Sequence, residues 1–113
     1  MAKVEITQEL KEEVFKKFKS ESVEIFKLMH SLKENPKKGK PVGQVSGIVI
    51  KELRYNNFRF YFITDGFKIK FLQIFELNDL LIKFVRMSDK KKQQKTIDEI
   101  KEILRKFGEG GFK

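Results

Sequence analysis

The residues of this chain best suited to chemistry form a cationic set on strand-like stretches. Lys51 and Arg54 stand in one such stretch, and Arg59 follows after Asn56-Asn57. Lys83 and Arg86 belong to a later stretch, with Lys90, Lys91, Lys92 and Lys95 directly behind it. Arginine stays charged and donates two parallel hydrogen bonds, so such a set can hold phosphate oxygens and stabilise a pentacovalent phosphorus. RNA carries its own nucleophile, the 2′-hydroxyl, so strand cleavage of this kind needs no metal. Tyr55, Tyr61 or a lysine of lowered pKa could move protons. The same residues also have a structural reading, with Tyr61 packed in a core and Arg59 at a sheet edge. Period-two alternation puts Lys51, Leu53 and Tyr55 on one face and Ile50, Glu52 and Arg54 on the other. The cations can therefore share one patch only through twist or bulges.

Other chemistries are excluded by composition. The chain has no cysteine, which removes disulfide scaffolds, thiolate zinc sites and cysteine nucleophiles together. The one histidine, His30, rules out a His-rich metal site, and its apolar helical neighbours suit a helix-surface or core residue better than a general base. Gly39 and Gly43 lack the spacing and the Lys-Ser/Thr pair of a phosphate loop. Asp65 and Asp79 stand in turn-like contexts where aspartate serves the backbone. No metal and no small-molecule cofactor is expected.

Charge gives the sharper signal. The chain has 113 residues and a formal net charge of +9, a length suited to one domain. Residues 1–36 hold seven lysines and seven glutamates, and residues 96–113 hold four basic and four acidic groups. Residues 37–95 hold fourteen basic groups against five acidic ones, so the whole excess belongs to the middle of the chain. An excess so confined fits a polyanion-binding surface. The alternative is a solvated lysine surface with no partner. MAKVEITQEL has no apolar signal-peptide core, and no apolar run is long enough to span a membrane. A soluble, cytoplasmic protein is expected.

The positioning elements follow from periodicity. Val4 and Ile6 alternate as a short strand, and Thr7 is a helix N-cap. Leu10, Val14, Phe15 and Phe18 line one helix over 8–19, and Val23 to Leu32 a second over 22–34, stopped by Asn35-Pro36. Residues 37–43 read as a basic loop with Lys37, Lys38 and Lys40. Four strands are expected after it: Val45 to Tyr55, Phe58 to Ile63, Phe67 to Phe75 beyond an Asp65-Gly66 hairpin turn, and Leu80 to Met87. Thr96-Ile97-Asp98-Glu99 reads as a capping box opening a last helix, closed by Gly108, with a loose tail behind it. Helices packed on an antiparallel sheet make this an α+β domain.

Three stretches carry a family resemblance. These are LKENPKKGKPV (Leu32–Val42), KELRYNNFRFYFITDG (Lys51–Gly66) and FVRMSDKKKQQKTIDEI (Phe84–Ile100). Together with the order of elements they resemble the RelE/ParE toxin superfamily, especially its HigB-like, phage-derived branch. The resemblance covers about residues 4–107. It implies an N-terminal helical hairpin packed on a twisted antiparallel sheet with a C-terminal helix. It also implies the toxin of a type II toxin–antitoxin pair, partnered by an antitoxin protein. The RelE and HigB branches cut mRNA on the ribosome, and the ParE branch poisons gyrase.

By position, Arg54 matches the arginine of the family's Leu-Arg pair, and Arg59 the arginine implicated at the cleaved phosphate. Lys91, Lys92 and Lys95 match the basic residues after the last strand. With Tyr61 added from the strand reading as a proton-transfer group, the expected catalytic set is Arg54, Arg59, Lys91 and Tyr61. RNA binding falls to Lys37, Lys38, Lys40, Lys51, Arg86, Lys90, Lys92 and Lys95. Two positions depart from the family. Phe112-Lys113 stands where many members end in a tyrosine or histidine, and Glu52 stands where some nucleases have a lysine. A ParE-like or decayed protein-binding toxin and a plain basic RNA-binding module remain the alternatives.

Overall fold

The computed structural model describes residues 1–113. Strand β1 (Lys3–Ile6) leads into helix α1 (Gln8–Phe18) and helix α2 (Ser22–His30). Strands β2 (Lys40–Val45), β3 (Ile48–Tyr55) and β4 (Phe58–Asp65) follow, then a short helix α3 (Gly66–Phe71), strand β5 (Leu81–Asp89) and helix α4 (Gln93–Phe107). The five strands form one sheet in the order β1-β5-β4-β3-β2. β1 runs parallel to β5, and every other pair is antiparallel. The fold is α+β, but its sheet is mixed where an antiparallel one was expected.

Both faces of the sheet are covered. Phe60, Phe62, Phe84 and Leu53 pack with Leu10 and Val14 of α1 and with Ile25 and Met29 of α2. Tyr61, Ile63, Ile50 and Val85 pack on the other side with Ile97, Ile100 and Leu104 of α4. This explains β4, where Arg59 to Thr64 are buried without a break. A strand covered on both sides reads as a continuous run rather than an alternating one.

Thr7 caps α1 as expected, whereas α2 ends at His30, short of the expected 34, and passes into a 3₁₀ turn over Ser31–Lys33. The Thr7 hydroxyl accepts from the Leu10 amide at 3.3 Å. Lys19, at φ 51°, ends α1, and a single 3₁₀ turn joins it to α2. Phe15 and Val23 are exceptions to the expected apolar faces: both are exposed, and the Phe15 ring meets Phe26 edge-on, centroids 5.2 Å apart.

Four local expectations are corrected. First, the stretch 40–55 is a hairpin rather than a loop and one strand. Ser46 and Gly47 both take positive φ, 47° and 84°, which closes a two-residue turn between Val45 and Ile48. Pro41 is tolerated because β2 is an edge strand.

Second, Asp65-Gly66 is a helix start. The Asp65 carboxylate accepts from the Lys68 amide at 3.0 Å, so 66–71 is α3 and not a strand. The reason is topological: β3 and β5 already occupy both edges of β4. The segment leaves Phe67, Phe71, Ile74 and Phe75 exposed while Leu77 and Leu80 seal the core.

Third, Thr96 lies inside α4, its amide bonded to Lys92 O at 3.0 Å, so the capping box does not form. The chain turns earlier, where Asp89 Oδ1 accepts from the Lys92 amide at 2.9 Å.

Fourth, the tail is docked. Phe112 is 4% exposed, and Lys113 O accepts from the Glu9 amide at 3.2 Å. Gly108 does close α4, at φ 68°.

Phe112→Ala should therefore lower unfolding stability by about 3 kcal/mol, as for other buried phenylalanines. Urea denaturation followed by circular dichroism measures it. A change under about 0.5 kcal/mol, the range for unconstrained surface positions, would return the tail to a loose state.

Candidate anion-binding cleft

The β3–β4 hairpin ends in Asn56-Asn57, with Asn56 at φ 54°. Its register sets Arg54 directly opposite Arg59, and Arg59 opposite Ser88 of β5. That brings the end of β5 beside the hairpin tip. The Asp89 turn then carries Lys90 and Lys91 alongside. The result is an open cleft of about 510 Å³ lined by Arg54, Asn56, Asn57, Arg59, Asp89, Lys90 and Lys91, with no hydrophobic side chain.

The two arginines differ in setting. The Arg59 side chain is 7% exposed and forms part of the floor, while that of Arg54 is 58% exposed at the rim. Arg59 Nη1 donates to Asn57 O at 3.4 Å. Beneath them lies Glu52, whose side chain is 1% exposed, with its carboxylate 3.7 Å from Arg59 Nε and 3.8 Å from Arg54 Nε. Four cations thus converge on a cleft bordered by Asp89 and underlain by Glu52. This is a strong arrangement for binding an anion with several oxygens.

Of the residues singled out in the sequence, the structure gathers Arg54, Arg59, Lys90 and Lys91. The others lie elsewhere. Tyr61 is fully buried, and its hydroxyl bonds Ser88 Oγ at 2.8 Å. Burial pushes its phenol above the ordinary tyrosine range. Tyr55 is turned to the 3₁₀ turn between α1 and α2, where its hydroxyl donates to Glu21 at 2.7 Å, and that hydrogen bond raises its pKa.

Lys51 is buried on the face opposite Glu52, where Nζ donates to Lys37 O at 2.9 Å. Burial first, and Lys37 second, lower its pKa. It clips the 37–40 loop to the sheet and offers no surface to RNA. Arg86 is engaged by Glu99 at 3.1 Å and stacks over the Phe112 ring at 5.3 Å. Arg86 pairs with Tyr61, which faces α4, and so stands on that side; Phe62 pairs with Phe84, so Val85 is the extra residue of a bulge next to it.

Lys37 and Lys38 line a separate groove with Asn35 and Ile74. Lys40 is exposed on the edge strand opposite Glu52. Lys92 and Lys95 are exposed at the start of α4, beyond the cleft lining. His30 is exposed at the end of α2.

The sequence reading missed Asn56, Asn57 and Asp89 as lining residues. Their turn chemistry marked their positions, but only the β4–β5 register brings them together. No group of three or more His, Asp or Glu side chains converges in a metal-ligand arrangement, and no helix is long and apolar enough to cross a membrane. Compared with known proteins, the chain shows no significant match to a family model, a curated protein or a solved structure.

Lys51 supplies a pH prediction. Its folded pKa lies below the unfolded value, so the unfolded state binds more protons between the two and stability rises with pH across that window. Wild type should gain stability relative to Lys51→Met as pH climbs toward the free-lysine range. The slope should reach up to about 1.4 kcal/mol per pH unit. Paired urea titrations at several pH values measure it, and parallel curves would remove the burial argument.

Proposed function

We propose that this protein is a RelE/ParE-type toxin of the HigB-like branch that cuts mRNA on the ribosome, held in check by a cognate antitoxin. The observation that carries this reading is the meeting of Arg54, Arg59, Lys90 and Lys91 at one polar cleft. The sequence stretches that resemble the family contain all four. The element order, two helices ahead of the main run of strands, supports the finer RelE-like description of the fold.

The chemistry proceeds as follows. The 2′-hydroxyl of the bound RNA loses its proton to solvent water as it attacks the adjacent phosphorus, the bond to the 5′ oxygen breaks, and a 2′,3′-cyclic phosphate remains. Arg59, fixed in the cleft floor, meets the scissile phosphate, and Arg54 closes on it from the rim. Both neutralise charge that grows in the pentacovalent transition state. Lys91 is the cleft's group for proton delivery to the departing 5′ oxygen. Lys90 holds a flanking phosphate. An acidic antitoxin segment complements the same surface.

A second reading is a toxin that only binds protein, with gyrase as its target. It is favoured by the absence of both tyrosines from the cleft and by Glu52, which already faces the two arginines. Gyrase poisoning in a supercoiling assay with cellular mRNA intact would select it.

For the nuclease reading, primer extension on translated mRNA after induction should reveal discrete cuts. Arg59→Ala should reduce them by about 10²-fold or more, the scale of losing one charge-stabilising donor. Equal cutting by wild type and variant, or none by either, overturns the reading. Lys90→Ala should weaken single-stranded RNA binding and lower the salt slope by about 0.7, one phosphate contact. An unchanged slope would remove Lys90 from the interface.

A further inference from the structure

Arg54 and Arg59 face one another directly across β3 and β4. Like charges so placed repel. Glu52 stands two residues before Arg54, on the same face. Neither of its oxygens has a hydrogen bond, and Arg59 Nε lacks one as well. A buried carboxylate without hydrogen bonds is costly unless another charge offsets it.

The other neighbours of Glu52 do not supply that partner. Tyr61, opposite it on β4, has its hydroxyl hydrogen-bonded with that of Ser88. Lys40, opposite it on β2, is exposed and makes no ion pair with it. Only the two arginines come within ion-pair distance, each through Nε.

We propose that Glu52 is the positioning residue of the cleft. Its carboxylate holds Arg54 and Arg59 side by side through Nε, while Asn57 O engages Arg59 Nη1, and this leaves Arg59 Nη2 and the terminal nitrogens of Arg54 for an incoming phosphate. The proposal rests on the phosphate-binding reading given above.

Charge balance follows from this geometry. Two guanidiniums and one carboxylate leave a single positive charge, which a phosphodiester neutralises. The charge that grows on a pentacovalent phosphorus is then met by the aligned N–H donors of the two arginines, while Lys91 gives its proton to the departing 5′ oxygen. Glu52 does not touch the substrate. It acts through the arginines, so its loss should affect turnover more than binding.

The test uses the full chain labelled with ¹⁵N-arginine. The Nε–H signals are assigned through Arg54→Lys and Arg59→Lys, and inorganic phosphate is the probe. In wild type, phosphate should shift the Arg59 Nε–H signal. In Glu52→Gln that signal should broaden or move toward the free-arginine position. Phosphate affinity should stay within about threefold or tighten, because a negative charge has gone. Cleavage of translated mRNA per folded molecule should fall at least about tenfold. Glu52→Asp keeps the charge one methylene short and should recover part of the cleavage.

A Glu52→Gln protein with unchanged Nε signals and unchanged cleavage overturns the proposal. So does a loss of binding and cleavage in proportion to the unfolded fraction, which is a structural role only. If Glu52→Gln does not fold, the wild-type titration and Glu52→Asp decide, and a phosphate-insensitive Arg59 signal overturns it. If wild type leaves mRNA intact, the nuclease reading fails while the Nε signals still decide the role of Glu52.

Discussion

The burial of β4 on both faces is the constraint on which the rest of the molecule depends. β4 lies between β3 and β5, with α1 and α2 on one side and α4 on the other. Every residue from Arg59 to Thr64 is therefore removed from water. Phenylalanine, tyrosine and isoleucine gain from that placement. Arg59 does not, since a buried charge needs a compensating one. Glu52 supplies it from the neighbouring strand at 3.7 Å. The polar cleft is thus the end of a hydrophobic sheet, where the first buried position of β4 holds a charge.

The net charge of +9 divides along the same lines. Some cations of the basic segment are committed to the fold. Lys51 ties down the 37–40 loop, and Arg86 joins β5 to α4 through Glu99. Lys83 holds the C-terminal segment by bonding Glu109 O at 3.1 Å and Phe112 O at 3.4 Å. Of the remainder, Arg59 lies in the cleft floor and the others stay exposed, at the cleft rim, along residues 37–40, on α3 and at the start of α4. A lysine count measures the total charge, and only the packing separates structural cations from those free to meet a ligand.

Local chemistry made several elements legible before any coordinates. Thr7 caps α1, Gly108 closes α4, and Asn56-Asn57 turns between β3 and β4, each through a backbone requirement that one or two residues express. Period-two alternation set Ile50, Glu52 and Arg54 on one face, and the register agrees. Local signals failed where two of them competed. Asp65-Gly66 suits a hairpin turn and also a helix start, and the full occupancy of both edges of β4 decided for the helix. Thr96 could cap a helix, but the Asp89 turn begins it earlier.

The sequence by itself determined the element types over most of the chain, the faces on which Ile50 to Tyr55 of β3 stand and the confinement of positive charge to residues 37–95. These follow from backbone geometry and composition, which act over a few residues at a time. Only the tertiary structure decided that β1 joins β5 in parallel, that Tyr61 and Lys51 are buried away from the cleft, and that Phe112 is a core residue. It alone gathered Arg54, Arg59, Lys90 and Lys91 around Glu52. Such outcomes depend on which strands become neighbours, and that choice is set by burial summed over the whole sheet.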